Sequence, residues 1–225
     1  MLSPYWSIQI HLSRLCSWHE TRNDVPSLDF IAPLQRRRLS PLARINLQLA
    51  HDINPEKTAL RCVFASRHGE IVQTTQMLQA LASDELLSPA RFSHSVHNAI
   101  QGLWSIQAQQ TAECSAISAG IDTLPMGLLE AATLLADQAD PAVLLMCTDE
   151  AVPAIFNPDA SESTTRFALA GLINAQPANL KLSAIPKTHA PMLDPAHLEF
   201  LQWWRSNAPQ LITAGARCNW QWTRL

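Results

Sequence analysis

Hydrophobic positions change their spacing along the chain, and the changes mark out its elements. Trp6, Ile8, Ile10 and Leu12 alternate with polar residues, so Tyr5 to Leu12 is predicted to be a strand. A polar loop runs through Thr21 to Asp24. Ser40-Pro41 then opens a helix: Ser40 is suited to the N-cap, and Pro41 takes the first helical position, where its missing N–H costs nothing. Leu42, Ile45 and Leu49 give that helix an apolar face. The apolar run Ala59 to Ala65 predicts a buried strand. A helix is predicted from Ile71 to Ala82, with Met77, Leu78 and Leu81 on one side.

Ser88-Pro89 marks a turn, and His97 to Gln107 is predicted helical, with Gly102 within it. Thr111 to Ile117 is small and extended in character. Leu124 to Asp137 is a strong helix, lined by Leu128, Leu129, Ala132, Leu135 and Ala136. Pro141 to Cys147 is a second buried strand. Arg166 to Asn174 and Leu180 to Ile185 are predicted to form an antiparallel pair. Pro195 to Ser206 is a helix carrying Trp203-Trp204, and Arg217 to Arg224 a final strand. The central half alternates strand and helix and the end is strand-rich, which predicts an α/β fold, a mixed sheet layered with helices. No repeat, low-complexity tract or linker divides the chain, so residues 1–225 are read as a single domain.

Composition narrows the function. Hydrophobic residues make up 47% of the 225 positions, enough for a sizeable core. Charged residues are only 16%, against about a quarter in ordinary soluble domains. That deficit fits either a large core or a surface covered by a partner. A formal net charge of -3 gives no electrostatic footprint for nucleic acid. The dense basic run Arg36-Arg37-Arg38 reads as a solvated helix start. Cys16, Cys62, Cys114, Cys147 and Cys218 show no CxxC spacing and no paired histidines, so no metal or other cofactor is expected. Cys62 and Cys147 lie in apolar runs and read as buried thiols. An odd cysteine count, the absence of a signal-peptide h-region and the lack of a long apolar stretch point to a cytoplasmic protein with no membrane insertion.

Several segments, in order, resemble the β-ketoacyl synthase family. Arg36-Arg37-Arg38-Leu39-Ser40-Pro41-Leu42-Ala43-Arg44 resembles the basic entry to that fold's first long helix. Val63 to Glu70 resembles the following strand and turn. Most specific is Ser88-Pro89 through Phe92, then Ser95-Val96-His97-Asn98-Ala99, Gly102, Ser105 and Ile106, which matches Ser-Pro-x-x-Phe followed by an Asn-x-x-x-Gly-x-x-Ser-Ile helix. Ser118-Ala119-Gly120 leads into Gly127 to Ala132, and Asp140 with Val143 to Met146, ending at Glu150, resembles the next strand. The resemblance spans about Arg36 to Glu150. It implies a thiolase-like fold, the amino-terminal ketosynthase half only, with the segment after about Ser163 similar to the tail of half-length relatives.

The resemblance also identifies what is missing. The family places a Thr-Ala-Cys at the start of the helix that begins here near Ile121, because free N–H groups and the positive end of the helix dipole lower a thiol's pKa and help form an oxyanion hole. Gly120 or Ile121 occupies that position here. Cys114 lies upstream in the predicted strand and reads as a packed thiol. The family's two catalytic histidines come from the other half of the fold, and His189 and His197 read as surface or loop residues. No catalytic residue is expected.

The family includes the chain-length factor, which lacks the cysteine and pairs with an active ketosynthase. Half-length chains of this kind resemble those encoded beside aryl polyene synthesis genes in Gram-negative bacteria. The implied partners are a full-length ketosynthase subunit, forming a heterodimer, and an acyl carrier protein. The implied interface is the strand Thr111, Ala112, Glu113, Cys114, Ser115, Ala116 and Ile117, with Asn98. His68, Gln73, Gln76 and Met77 are implied to lie near the end of the partner's acyl tunnel, where bulk would limit chain length. Two other readings stand beside this one. The first is an acyltransferase or condensing enzyme using Cys114. The second is a homodimer binding an acidic carrier protein through Arg36 to Arg38 and Arg44.

Overall fold

The computed structural model describes residues 3–19, 25–137, 142–158, 165–174, 177–187 and 196–225. The Thr21–Asp24 loop, Asp140, Pro141, His189 and Pro195 lie outside them. The elements in chain order are β1 (Trp6–His19), α1 (Pro33–Arg36), α2 (Pro41–Ile53), β2 (Arg61–Ala65), α3 (Ile71–Ala82), α4 (Pro89–Ser93), α5 (Ala99–Ala108), β3 (Cys114–Ile117), α6 (Thr123–Leu135), β4 (Ala142–Asp149), β5 (Phe167–Asn174), β6 (Leu180–Ile185), α7 (Ala196–Arg205), β7 (Gln210–Ala214) and β8 (Asn219–Arg224).

All eight strands form one sheet in the order β3-β2-β4-β5-β1-β6-β8-β7. β3, β2 and β4 run parallel, and the other pairings are antiparallel. Every residue of β2 and β4 is buried, which explains why these strands read as unbroken apolar runs rather than alternating ones. One core, on the α6–α7 face, joins Leu124, Leu128, Ala131 and Leu135 to Val63, Leu145 and Trp222. The opposite core packs Leu42, Ile45 and Leu49 of α2 and Ile100 and Trp104 of α5 against Cys62, Phe64 and Leu144. The sheet is therefore sandwiched between helices on both faces.

β1 is longer than its alternation predicts and works in two halves. Trp6 to Ile10 pairs with β6, and His11 to His19 pairs with β5. The pairing shifts between Leu12 and Arg14, a bulge that bends the strand. The Asn179 side chain bridges this region, accepting from the Leu12 N–H at 2.9 Å and donating to the Leu12 carbonyl at 3.1 Å. β5 and β6 are thus not the antiparallel pair that their adjacency in sequence predicts, because β1 inserts between them. β7 was not legible as a strand; it borders only β8, and four of its five residues, all but Thr213, are partly or wholly exposed.

The helix starts follow local chemistry. Ser40 Oγ accepts from the Ala43 N–H at 2.9 Å, the N-cap bond predicted for α2. In α6 the buried stripe is Leu124, Leu128, Ala131 and Leu135, while Ala136 is exposed, so the core face lies about one residue around from the predicted one. Gly127 sits where a Cβ would come within 2.8 Å of Ala65 Cβ, which lets α6 lie close on β2. In α3 only Met77 of the three expected apolar residues is buried; Leu78 is 50% and Leu81 58% exposed.

Candidate functional site

β3 leaves the sheet and turns through a short 3-10 segment, Gly120 to Asp122, into α6. Gly120 has φ +59°, a conformation that costs a residue with a Cβ roughly 1–2 kcal/mol, and no atom lies within 4 Å of where its Cβ would be. Three side chains hold the turn. Thr123 Oγ1 donates to the Gly120 carbonyl at 2.7 Å and accepts from the Ala119 N–H at 3.1 Å. Ser118 Oγ donates to the Arg67 carbonyl at 2.9 Å. The Asp122 carboxylate accepts from Trp220 Nε1 at 2.8 Å and from the Ala216 N–H at 3.2 Å, tying the turn to the β7–β8 hairpin. The helix start is well built, yet Ser118, Ala119, Gly120, Ile121 and Asp122 place no thiol there.

Cys114 stands one strand back, directly across from Cys62. It is half-buried and Cys62 fully so. A hydrogen bond between the two thiols lowers the Cys114 pKa and raises that of Cys62. Cys114 Sγ also lies 3.5 Å from the Ala112 carbonyl.

β3 is an edge strand. The Glu113 and Ile117 carbonyls accept from the N–H groups of Cys62 in β2 and of Ser66 just after it, so residues 113, 115 and 117 turn their backbones inward. By alternation Cys114 and Ala116 turn theirs outward, away from β2. The inner side is fixed further by Ser115 Oγ, which donates to Glu130 on α6 at 2.8 Å. Thr111, Glu113 and Ala116 are exposed, as is Asn98 at the start of α5. Ala112, Cys114, Ser115 and Ile117 are half-buried.

The ends of β2 and β4 gather a carboxylate cluster that the sequence pattern did not single out. Asp149 accepts from Ser66 Oγ and the His68 N–H, both at 2.9 Å. Its burial pushes its pKa up, and those bonds oppose the shift. Glu70 accepts from Ser40 Oγ at 2.6 Å and from Gln73 Nε2 at 3.3 Å. Burial, reinforced by Glu150, raises its pKa to about 7. Glu150 lies 3.6 Å from Arg166 and accepts from the Val72 N–H at 3.3 Å. The one signal in the sequence was that these acids end or follow apolar runs, where a charge needs partners.

Beside the cluster opens a cavity of about 630 Å³, lined by Arg37, Arg38, Arg91, Arg166, His94 and Glu150 along with Ser40, Gln73, Gln76 and apolar neighbours. Gln73 and Gln76 are therefore brought together on one wall, whereas His68 and Met77 are not among its lining residues. Arg36 and Arg44 are used within the fold: Arg36 pairs with Asp29 at 2.9 Å, and Arg44 donates to the Arg36 carbonyl at 2.8 Å. His197 is not a surface residue. It is 6% exposed on α7, stacked on Phe167 with ring centroids 3.1 Å apart, and burial lowers its pKa to about 3.

Comparison with known proteins adds the following. A model described as the N-terminal domain of β-ketoacyl synthase matches residues 11–223, well beyond the span of the motif resemblance. A chain from the complex of the ketosynthase ApeO with its chain length factor ApeC, from Xenorhabdus doucetiae, has a TM-score of 0.83 at 27% identity; the match covers 96% of this chain and 100% of that one. The ishigamide ketosynthase/chain length factor has a TM-score of 0.58 at 15% identity, covering 71% of this chain and 52% of that one. A β-ketoacyl synthase from Burkholderia phymatum has a TM-score of 0.56 at 10% identity, covering 72% and 50%. The match thus takes in about half the length of the latter two, and their likeness is one of fold. No curated protein matches the chain.

Proposed function

The chain belongs to the β-ketoacyl synthase family through that N-terminal domain, and from this premise we propose that it is a non-catalytic, chain-length-factor-like subunit of a ketosynthase heterodimer. The observation that carries the reading is the β3–α6 junction. A helix start that could activate a thiol instead carries a left-handed glycine, and the strand feeding it turns an open edge outward. An unpaired edge is a liability that a partner strand removes. Condensation would need a thiolate and imidazoles at this point, so the partner supplies the chemistry and an acyl carrier protein visits the complex in the cytoplasm. ApeO and ApeC form such a ketosynthase and chain length factor complex, and a related assembly in aryl polyene synthesis is the pathway class we assign. Gln73, Gln76, His68 and Met77 would then bear on the length of the acyl chain.

The test is native co-purification of the tagged chain from its host, with mass spectrometry of what accompanies it. A stoichiometric ketosynthase is expected. The variant Ala116→Pro removes one outward N–H without touching the β2 pairing, so it should lower recovery of the partner while the chain stays folded. A lone monomer or a homodimer would refute the subunit reading.

A further inference from the structure

The basic segment read as a solvated helix start does not act as one unit. Arg36 and Arg44 are committed to the fold, as described above, while the exposed guanidinium groups of Arg37 and Arg38 make no hydrogen bond or ion pair with the described residues. Both line the 630 Å³ cavity, as does Arg91 of α4, which donates to Gln76 Oε1 at 3.2 Å. Three arginines from two separate segments thus line one concavity, and Glu150 is the one acid among the described residues that line it. The carboxylate in the lining, Glu150, is already set against Arg166 at 3.6 Å. Glu70, behind Ser40 and Gln73, is held toward its neutral form by burial. Among the described lining residues arginines outnumber acids, and bringing like charges together is unfavourable until an anion enters.

We propose that this cavity, bounded by Arg37, Arg38 and Arg91 with Gln73, Gln76 and Ser40 on its walls, is a binding site for a small organic phosphate. Its volume falls within the range of about 300–1,000 Å³ typical of small-molecule sites. Planar guanidinium forks suit a phosphate, whose three terminal oxygens can each take paired donors; a carboxylate offers only two. Leu39, Pro41, Val72 and Ala90 supply an apolar side on which the organic part of the ligand rests.

Calorimetric titration of the full chain with pyrophosphate, at low salt and in a non-phosphate buffer, tests it. The complex with its co-purified partner is titrated in parallel. Saturable one-site binding is expected. The double variant Arg37→Gln/Arg38→Gln, and separately Arg91→Gln, should each weaken it roughly tenfold or more. Arg217→Gln, an exposed arginine on the β7–β8 hairpin, should leave it unchanged. Absence of binding, an equal loss in the Arg217 variant, or succinate binding as tightly as pyrophosphate would each overturn the assignment. Because the readout is ligand binding by the chain, its outcome is independent of whether a ketosynthase co-purifies.

Discussion

Replacing Glu70 by glutamine isolates the electrostatic character of the carboxylate cluster. Glu70 is 2% exposed, and its pKa is raised from 4.5 to about 7, first by burial and then by Glu150, against the opposing bonds from Ser40 and Gln73 and the field of Arg166. The folded state therefore keeps a proton that the unfolded chain gives up. Below pH 4.5 both states carry it, and the carboxyl contributes its full stability. Between pH 4.5 and 7 the unfolded state ionises while the folded state does not, and stability falls as pH rises; above pH 7 the loss is complete. At about 1.36 kcal/mol per unit, 2.5 units correspond to about 3 kcal/mol. Glutamine keeps the shape, can still accept from Ser40 and can donate its amide to the Gln73 side-chain oxygen once that amide flips, but it does not titrate. Urea unfolding followed by tryptophan fluorescence at pH 4.5, 6, 7 and 8 should show Glu70→Gln gaining on the native chain steadily and leading by about 3 kcal/mol more at pH 8 than at pH 4.5. Neither Asp149 nor His197 is among the groups that shift Glu70, so both contributions cancel in the difference. A gap that stays constant with pH, or one that shrinks as pH rises, would refute the reasoning.

Other residues give independent checks. His197 is held neutral by burial, with its pKa lowered to about 3, so stability should fall as pH drops from 6.5 toward 3; in His197→Phe this acid-side loss should disappear from the unfolding curves. Gly127→Ala places a Cβ 2.8 Å from Ala65 Cβ and 3.2 Å from Leu145 Cδ1 and should cost about 1–3 kcal/mol by overpacking, whereas Gly120→Ala meets no atom and should cost only the backbone strain, roughly 1–2 kcal/mol; equal destabilisation by more than that range at both sites would contradict the geometry. Among the thiols, Cys114 combines a lowered pKa with partial exposure, while Cys16 and Cys218 are raised and Cys62 and Cys147 are buried. Iodoacetamide at neutral pH should label Cys114 first, and formation of the ketosynthase complex should suppress that labelling; peptide mapping that finds Cys16 labelled faster would reverse the order.

The amino-acid sequence determined those elements whose signals are local. Ser40-Pro41 specifies the start of α2 because capping and the fixed proline φ act within one turn. The limits of α3, Ile71–Ala82, and the buried runs of β2 and β4 are readable because helix period and strand burial are written in consecutive residues. The absence of a thiol at the helix start was likewise legible, since it is a matter of which residues stand at Gly120 and Ile121. Tertiary structure alone decided matters that depend on residues far apart in the chain. β1 is inserted between β5 and β6 because its two halves offer separate edges to strands roughly 160 residues away. His197 is buried because α7 lays it on Phe167. Asp122 acquires its role from Trp220, 98 residues on. Glu70, Asp149 and Glu150 form one cluster because parallel strands bring the ends of β2 and β4 side by side, and tertiary packing likewise brings Arg37, Arg38 and Arg91 to the lining of one cavity. Local propensity acts over a turn or a strand, whereas desolvation and charge pairing act over the distances that only the folded sheet creates.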